Sequence, residues 1–170
     1  MTDIRNLSFE ELSQYLKTIG EKSFRAEQIF DWIYKKNVKD FEGMRNLSPE
    51  LRERLRNNFD FQSNVIDKKI VSDDGTTKFL FDLIDHEKIE SVLIPTATRT
   101  TACISTQAGC KFGCRFCASG IGGWNRHLSC AEIASQVLAV KSEAQNHEKP
   151  LSNIVFMGTG EPFPTVRYYG

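Results

Sequence analysis

Between Phe9 and Leu55 the apolar residues recur at helical spacing. Ser8 and Glu11 stand at capping-box spacing. Phe9, Leu12, Leu16 and Ile19 follow on one face, and Gly20 is the stop. Ser23 opens a second predicted helix carrying Ile29, Phe30 and Ile33. Ser48-Pro49-Glu50 opens a third through Leu51 and Leu55, with proline at the first helical position, where its missing N–H costs nothing. From Asn64 the pattern changes to that of strands. Val65–Val71 and Thr76–Ile84 flank the turn signal Asp73-Asp74-Gly75, and Ile89–Ile94 is a third short strand closed by Pro95. These strands predict a small antiparallel sheet beside the helices.

A third regime begins near Thr100. Thr101–Ser105 reads as a strand, and a glycine- and cysteine-rich loop follows to about His127. Ser129 and Glu132 then cap a helix carrying Ile133, Val137, Leu138 and Val140. After Pro150 the run Ile154–Met157 reads as a buried parallel strand. Strand, loop, helix and strand make a βαβ unit. Its loop lies at the carboxyl end of the first strand, where α/β folds place their ligands.

Composition narrows the function by exclusion. Hydrophobic residues are 40% and charged residues 26%, an ordinary globular profile with enough apolar side chains for a core. Lys plus Arg and Asp plus Glu are both 22, so overall charge does not argue for nucleic acid. The acids in the N-terminal segment exclude a signal peptide, and no apolar run approaches a membrane span. The expected location is the cytoplasm, where thiols stay reduced. An odd number of cysteines, 5, then favours metal or catalysis over a disulfide framework.

The chemistry concentrates in Cys110-x-x-x-Cys114-x-x-Cys117. Three thiolates this close can each hold one iron of a four-iron cluster, leaving the last iron open for the amino and carboxylate groups of S-adenosylmethionine. Phe112 and Phe116 are placed to screen it from water. The competing readings are a zinc site and chance. Structural zinc wants four ligands, and His127, Cys103 and Cys130 lack the usual paired spacing. Gly158-Thr159-Gly160-Glu161-Pro162 follows the Ile154–Met157 strand. Glycine there admits close backbone approach to a ligand, and Glu161 can accept from the methionine ammonium. An ordinary turn is the alternative. From Ser91 to Ala131 there is no acid, while Arg99, Lys111, Arg115 and Arg126 are present. That run suits an anionic partner such as RNA, or simply a solvated loop. Cys130 sits inside the capping box and receives no function.

Ala102–Cys110 with Lys111–Cys117 resembles the core of RlmN-type rRNA adenine-C2 methyltransferases of the RlmN/Cfr radical group. Gly158–Pro162 resembles that family's methionine-binding turn, and Ile89–Pro95 and Phe24–Tyr34 are also similar. Cys103, seven residues before Cys110, separates this pattern from the generic radical motif. The resemblance implies an α+β accessory region at residues 1–95, which would bind RNA, followed at 96–163 by the first βαβ unit of an incomplete α/β radical S-adenosylmethionine barrel. It implies a [4Fe-4S] cluster on Cys110, Cys114 and Cys117, and S-adenosylmethionine at Gly160 and Glu161. Cys103 and Glu90 would be catalytic. Cys103 would help deprotonate adenine C2 and resolve a protein–RNA crosslink through a transient disulfide, and Glu90 would accept a proton. The implied partners are large-subunit rRNA, certain tRNAs and an electron donor such as a flavodoxin-type protein, for a monomeric enzyme. Lys22, Arg25, Lys35, Lys36 and Lys39 are the phosphate-contact candidates, although Glu21, Glu27, Asp31 and Asp40 interleave with them.

The tail at 164–170 departs from the family and reads like a frameshift, a premature stop or a cropped sequence. Family members are longer and carry a methyl-bearing cysteine near their C-terminus. The expectation is that these 170 residues alone do not methylate RNA and expose a strand edge near Ile154–Met157. Two other functions stay open: a Cfr-like enzyme acting at adenine C8, and a zinc-stabilised RNA-binding module without catalysis.

Overall fold

The computed structural model describes residues 1–62, 64–112, 114, 116–146 and 150–162. The chain divides into two compact units, Met1–Gln62 and Ser63–Gly170.

The first unit starts with β1 (Thr2–Asp3) and a short 3-10 turn, Ile4–Asn6. Then come α1 (Phe9–Thr18), α2 (Phe24–Phe30), α3 (Pro49–Asn58) and β2 (Phe59–Asp60), which pairs in parallel with β1. Ser8 and Glu11 close the expected capping box, and the Ser48 side chain accepts from the Leu51 N–H. Ser23 precedes α2 without a side-chain cap, and α2 continues into a π-type turn, Asp31–Lys35. Leu12, Leu16, Ile29, Ile33, Met44, Leu51 and Leu55 form the core. Asp3 and Arg5 are buried beside it as an ion pair at 2.5 Å, and Asp3 Oδ2 also accepts from the Gln62 N–H at 2.6 Å.

The second unit is built on one five-stranded sheet. Its strands are β3 (Val65–Val71), β4 (Thr77–Asp82), β5 (Lys88–Pro95) and β6 (Thr100–Cys103). A two-stranded ribbon follows, β7 (Gln107–Gly109) with β8 (Trp124–His127), then α4 (Cys130–Asn146) and β9 (Asn153–Val155). The sheet order is β3-β4-β5-β6-β9, antiparallel except for the parallel β6–β9 pair. The βαβ unit is therefore β6–α4–β9. One face of the sheet is sealed: Phe79, Phe81, Ile89, Leu93 and Ala102 pack with Val140 and Ala144 of α4.

Three expectations differ from this arrangement. The antiparallel strands are not a separate layer ending at Pro95. Their last strand, β5, hydrogen-bonds directly to β6, so all of them lie in the compact unit Ser63–Gly170. The last strand is Asn153–Val155 and is not buried. It forms the edge of the sheet, which leaves Ile154 at 46%, Phe156 at 45% and Met157 at 78% exposure. The cysteine-bearing stretch is not an open loop throughout, because β7 and β8 zip its base together.

Candidate functional site

The cysteine loop hangs from the β7–β8 ribbon. At its neck Gly109 adopts φ 71°, and a Cβ there would meet the Gly123 carbonyl oxygen at 2.0 Å, so only glycine fits. The Cys110 N–H donates to that same carbonyl at 2.9 Å, and the Cys117 N–H donates to the Cys114 carbonyl at 3.1 Å. All three thiols are free; Cys110 and Cys117 are half-buried and Cys114 is exposed. Hydrogen bonds from Ser119 hold the Cys117 thiol below its ordinary value. Phe116 is 93% exposed, so the expected screening of the cluster by this side chain is not seen. Among the described residues no three His, Cys, Asp or Glu side chains converge as a ready-made metal site. The thiols nevertheless suit an iron–sulfur cluster as a donor set, being soft, uncommitted and carried on one short loop.

The Gly158–Glu161 turn is stitched against Ile104–Gln107, the segment that leads into this loop. Gly158 N–H donates to the Ile104 carbonyl at 3.1 Å, and the Thr159 carbonyl accepts from the Thr106 and Gln107 N–H groups at 3.0 and 3.2 Å. Thr159 N–H donates to Ser105 Oγ at 2.8 Å. A Cβ on Gly158 would lie 2.8 Å from the Ser105 nitrogen, and one on Gly160 would lie 2.4 Å from Gln107 Cβ. Both glycines are thus required by close approach. Buried polar groups hold this junction: Gln136 of α4 accepts from the Ser105 N–H at 3.0 Å and from Ser91 Oγ at 2.7 Å. Sequence reading missed Ser105, Gln107 and Gln136. The one available signal was the polar run Ser105-Thr106-Gln107 at the end of a strand.

Glu90 and Cys103 share the open face of the sheet. Glu90 and Val92 alternate in β5 with the buried Ile89, Ser91 and Leu93, and Cys103 is paired opposite Val92. Burial pushes the Cys103 thiol up, partly offset by a hydrogen bond from the Met157 backbone. Glu90 is exposed and pairs with Lys78 at 3.0 Å. It also lines an open cleft of about 470 Å³ with Lys88, Gly109, Ser119, Asn125 and Thr159, so the cleft joins β5 to the cysteine loop and to the turn.

The acid-free run does not make a basic surface by itself. Arg126 is gripped by Glu132 at 2.8 Å and by Asp85 at 2.7 Å, and Asn125 donates to Glu87 at 2.8 Å. The acids arrive from other elements, which the linear reading could not see. Arg115 lies outside the described residues. Lys111 sits over the Trp124 ring at 5.8 Å, and His127 meets that ring edge-on. In the first unit several phosphate-contact candidates are engaged internally: Lys35 with Asp31, Arg25 with Glu21, Lys36 on the Trp32 ring and Lys39 on Asn37.

A cysteine triad at the carboxyl end of a strand, with a glycine turn after the next parallel strand, defines the class of radical S-adenosylmethionine folds. The comparisons with known proteins agree. Residues 2–60 match the ribosomal RNA large subunit methyltransferase N-terminal domain, RlmN_N. A protein of Bacillus thuringiensis subsp. konkukian named "Probable dual-specificity RNA methyltransferase RlmN" is 48% identical over 162 residues, which is 95% of this chain and 45% of that protein. One of the same name from Bacillus anthracis (strain A0248) is 48% identical over 160 residues, 94% of this chain and 44% of that protein. The crystal structure of a radical SAM methyltransferase from Sphaerobacter thermophilus superposes with a TM-score of 0.87 at 38% identity, covering 96% of this chain and 48% of that one. The chain is therefore a relative of the RlmN-type methyltransferases and spans less than half of their length. Among the described residues no helix is long and apolar enough to cross a membrane.

Proposed function

We propose that this chain contributes the cluster-bearing part of a radical S-adenosylmethionine methyltransferase acting on C2 of an adenine in large-subunit rRNA and in certain tRNAs. The observation that carries the reading is the hydrogen bonding of the Gly158–Glu161 turn to Ile104–Gln107, the segment that runs from the end of β6 into the cysteine loop. In this reading β6–α4–β9 opens an α/β partial barrel. Cys110, Cys114 and Cys117 hold the [4Fe-4S] cluster, and Gly160 and Glu161 receive the methionine end of S-adenosylmethionine. When bound, that pair supplies the 5′-deoxyadenosyl radical. The residues of the chain orient and shield. Gly158 and Gly160 let the backbone close on the ligand, with Glu161 accepting from its ammonium. Glu90 accepts a proton on the open face of the sheet, where Cys103 also stands. Cys103 takes the C2 proton and, after giving that proton up, attacks as a thiolate the sulfur of a protein–RNA crosslink: a transient disulfide forms, the sulfur–methylene bond breaks, and the methylene on the adenine keeps the electron pair and takes up a proton.

The accessory role in RNA binding falls to residues 1–95, supported by the match of residues 2–60 to a ribosomal RNA methyltransferase domain. The reading further puts a monomeric enzyme in the cytoplasm, served by a flavodoxin-type electron donor.

Anaerobic reconstitution of the 170-residue chain tests the assignment. The expected product carries about four irons with matching sulfide, and Cys114→Ala loses them. One zinc per chain and no sulfide would overturn the reading in favour of a non-catalytic module.

A further inference from the structure

We propose that Gln107 is a positioning residue that locks the cysteine loop and the Gly158–Glu161 turn into one body; the inference rests on reading both as ligand loops. Gln107 is fully buried at the tip of β7. Its side-chain oxygen accepts from two backbone N–H groups at 3.4 Å each, that of Lys111, next to Cys110, and that of Glu161. Its NH₂ donates to the Glu161 carbonyl at 3.1 Å and meets His127 Nδ1 at 3.3 Å. One amide thus ties the backbone beside a cluster thiol to both backbone groups of the residue assigned to the methionine end.

The residue type follows from this geometry. The clamp needs an acceptor for two N–H groups and, on a separate atom, a donor for a carbonyl, which the forked amide of a glutamine supplies. A carboxylate keeps the first function and loses the second. A thioether of the same length loses both. The fit is also steric: Gly160, at φ 96°, leaves the space that Gln107 fills, since a Cβ there would lie 2.6 Å from Gln107 Cγ. Because a buried amide is costly unless paired, the two loops and the side chain hold each other in place. The consequence for the site is a fixed separation between the cluster loop and the turn before any ligand arrives.

Hydrogen exchange of the 170-residue chain, followed amide by amide by NMR, tests the clamp without a ligand. In Gln107→Ala the Lys111 and Glu161 amides exchange faster together, by about fivefold for each lost hydrogen bond. Amides of α4 and β4 keep their rates. Gln107→Glu retains most of the protection, because its carboxylate still accepts from both. Gln107→Met, which preserves volume, replaces the alanine variant if that one does not fold. Unchanged exchange at either amide, or a glutamate variant no better protected than the methionine one, overturns the proposal.

After anaerobic cluster assembly, addition of S-adenosylmethionine gives a second readout. The change it causes in the EPR spectrum of the reduced cluster is retained in Gln107→Glu and lost in Gln107→Met; the same response in both variants counts against the clamp. A wild-type chain that assembles no cluster, or whose cluster ignores S-adenosylmethionine, sinks the functional reading above, and the exchange result still decides the clamp on its own.

Discussion

Cys103 ends β6 with its thiol half-buried, and that burial pushes its proton affinity up. A raised value means less thiolate at a given pH, so the folded protein should protect this cysteine from alkylation. In metal-free protein the pH midpoint for iodoacetamide labelling of Cys103, followed by mass spectrometry, should lie above that of an ordinary thiol. Denaturant should bring it back down, because unfolding restores hydration. The position of Cys103 was legible in the sequence as part of a motif. Its environment was not, since the Met157 backbone that touches it comes from across the β6–β9 pairing. Gln107 was less legible still. A glutamine at a strand end carries no local signal, and its worth comes from partners up to 54 residues away.

The ribbon β7–β8 and the helix behind it carry the next two predictions. Gly109→Ala forces a non-glycine residue to φ 71° and drives a Cβ into the Gly123 carbonyl. The conformational strain alone is about 1–2 kcal/mol. The neck should open and iron incorporation, measured after anaerobic reconstitution, should fall severalfold. Beside it, Arg126 of β8 joins Asp85 to Glu132 at the start of α4. Burial raises the affinity of Glu132 for its proton, but hydrogen bonds from Arg126 and Ser129 outweigh this, and the net direction is down. A carboxyl lowered on folding contributes stability that is complete above its unfolded value. That contribution is lost as pH falls through its lowered folded value. Thermal melts of Glu132→Gln should therefore show a smaller loss of stability between neutral and acid pH than the wild type. The helix cap that places Glu132 was legible as Ser129-x-x-Glu132, because capping acts within one turn. The ion pair with Asp85 was not, because Asp85 lies 41 residues from Arg126.

At the scale of the molecule, two units carry two cores, and each contains one of the 2 tryptophans, Trp32 and Trp124. In the first unit the buried Asp3 serves both Arg5 and the Gln62 N–H. Asp3→Ala removes that acceptor and should cost roughly 3 kcal/mol, since breaking a buried pair leaves a charge without compensation. The unfolding transition followed through Trp32 fluorescence should move to lower temperature by several degrees. By itself the sequence determined α1, α3 and α4 with their serine caps, the strand runs of β3 to β6 and the βαβ order. Those features rest on interactions within a few residues, such as periodic apolar burial, capping hydrogen bonds and turn residues that tolerate unusual φ. The tertiary structure alone decided that β3–β5 continue into β6, that Glu90 and Cys103 share one face, and that the acid-free run meets acids from the β4–β5 turn and from α4. It also decided that Gln107 joins the two loops. Each of these depends on strand register and on contacts between distant segments, and no local pattern encodes a pairing whose partner lies elsewhere in the chain.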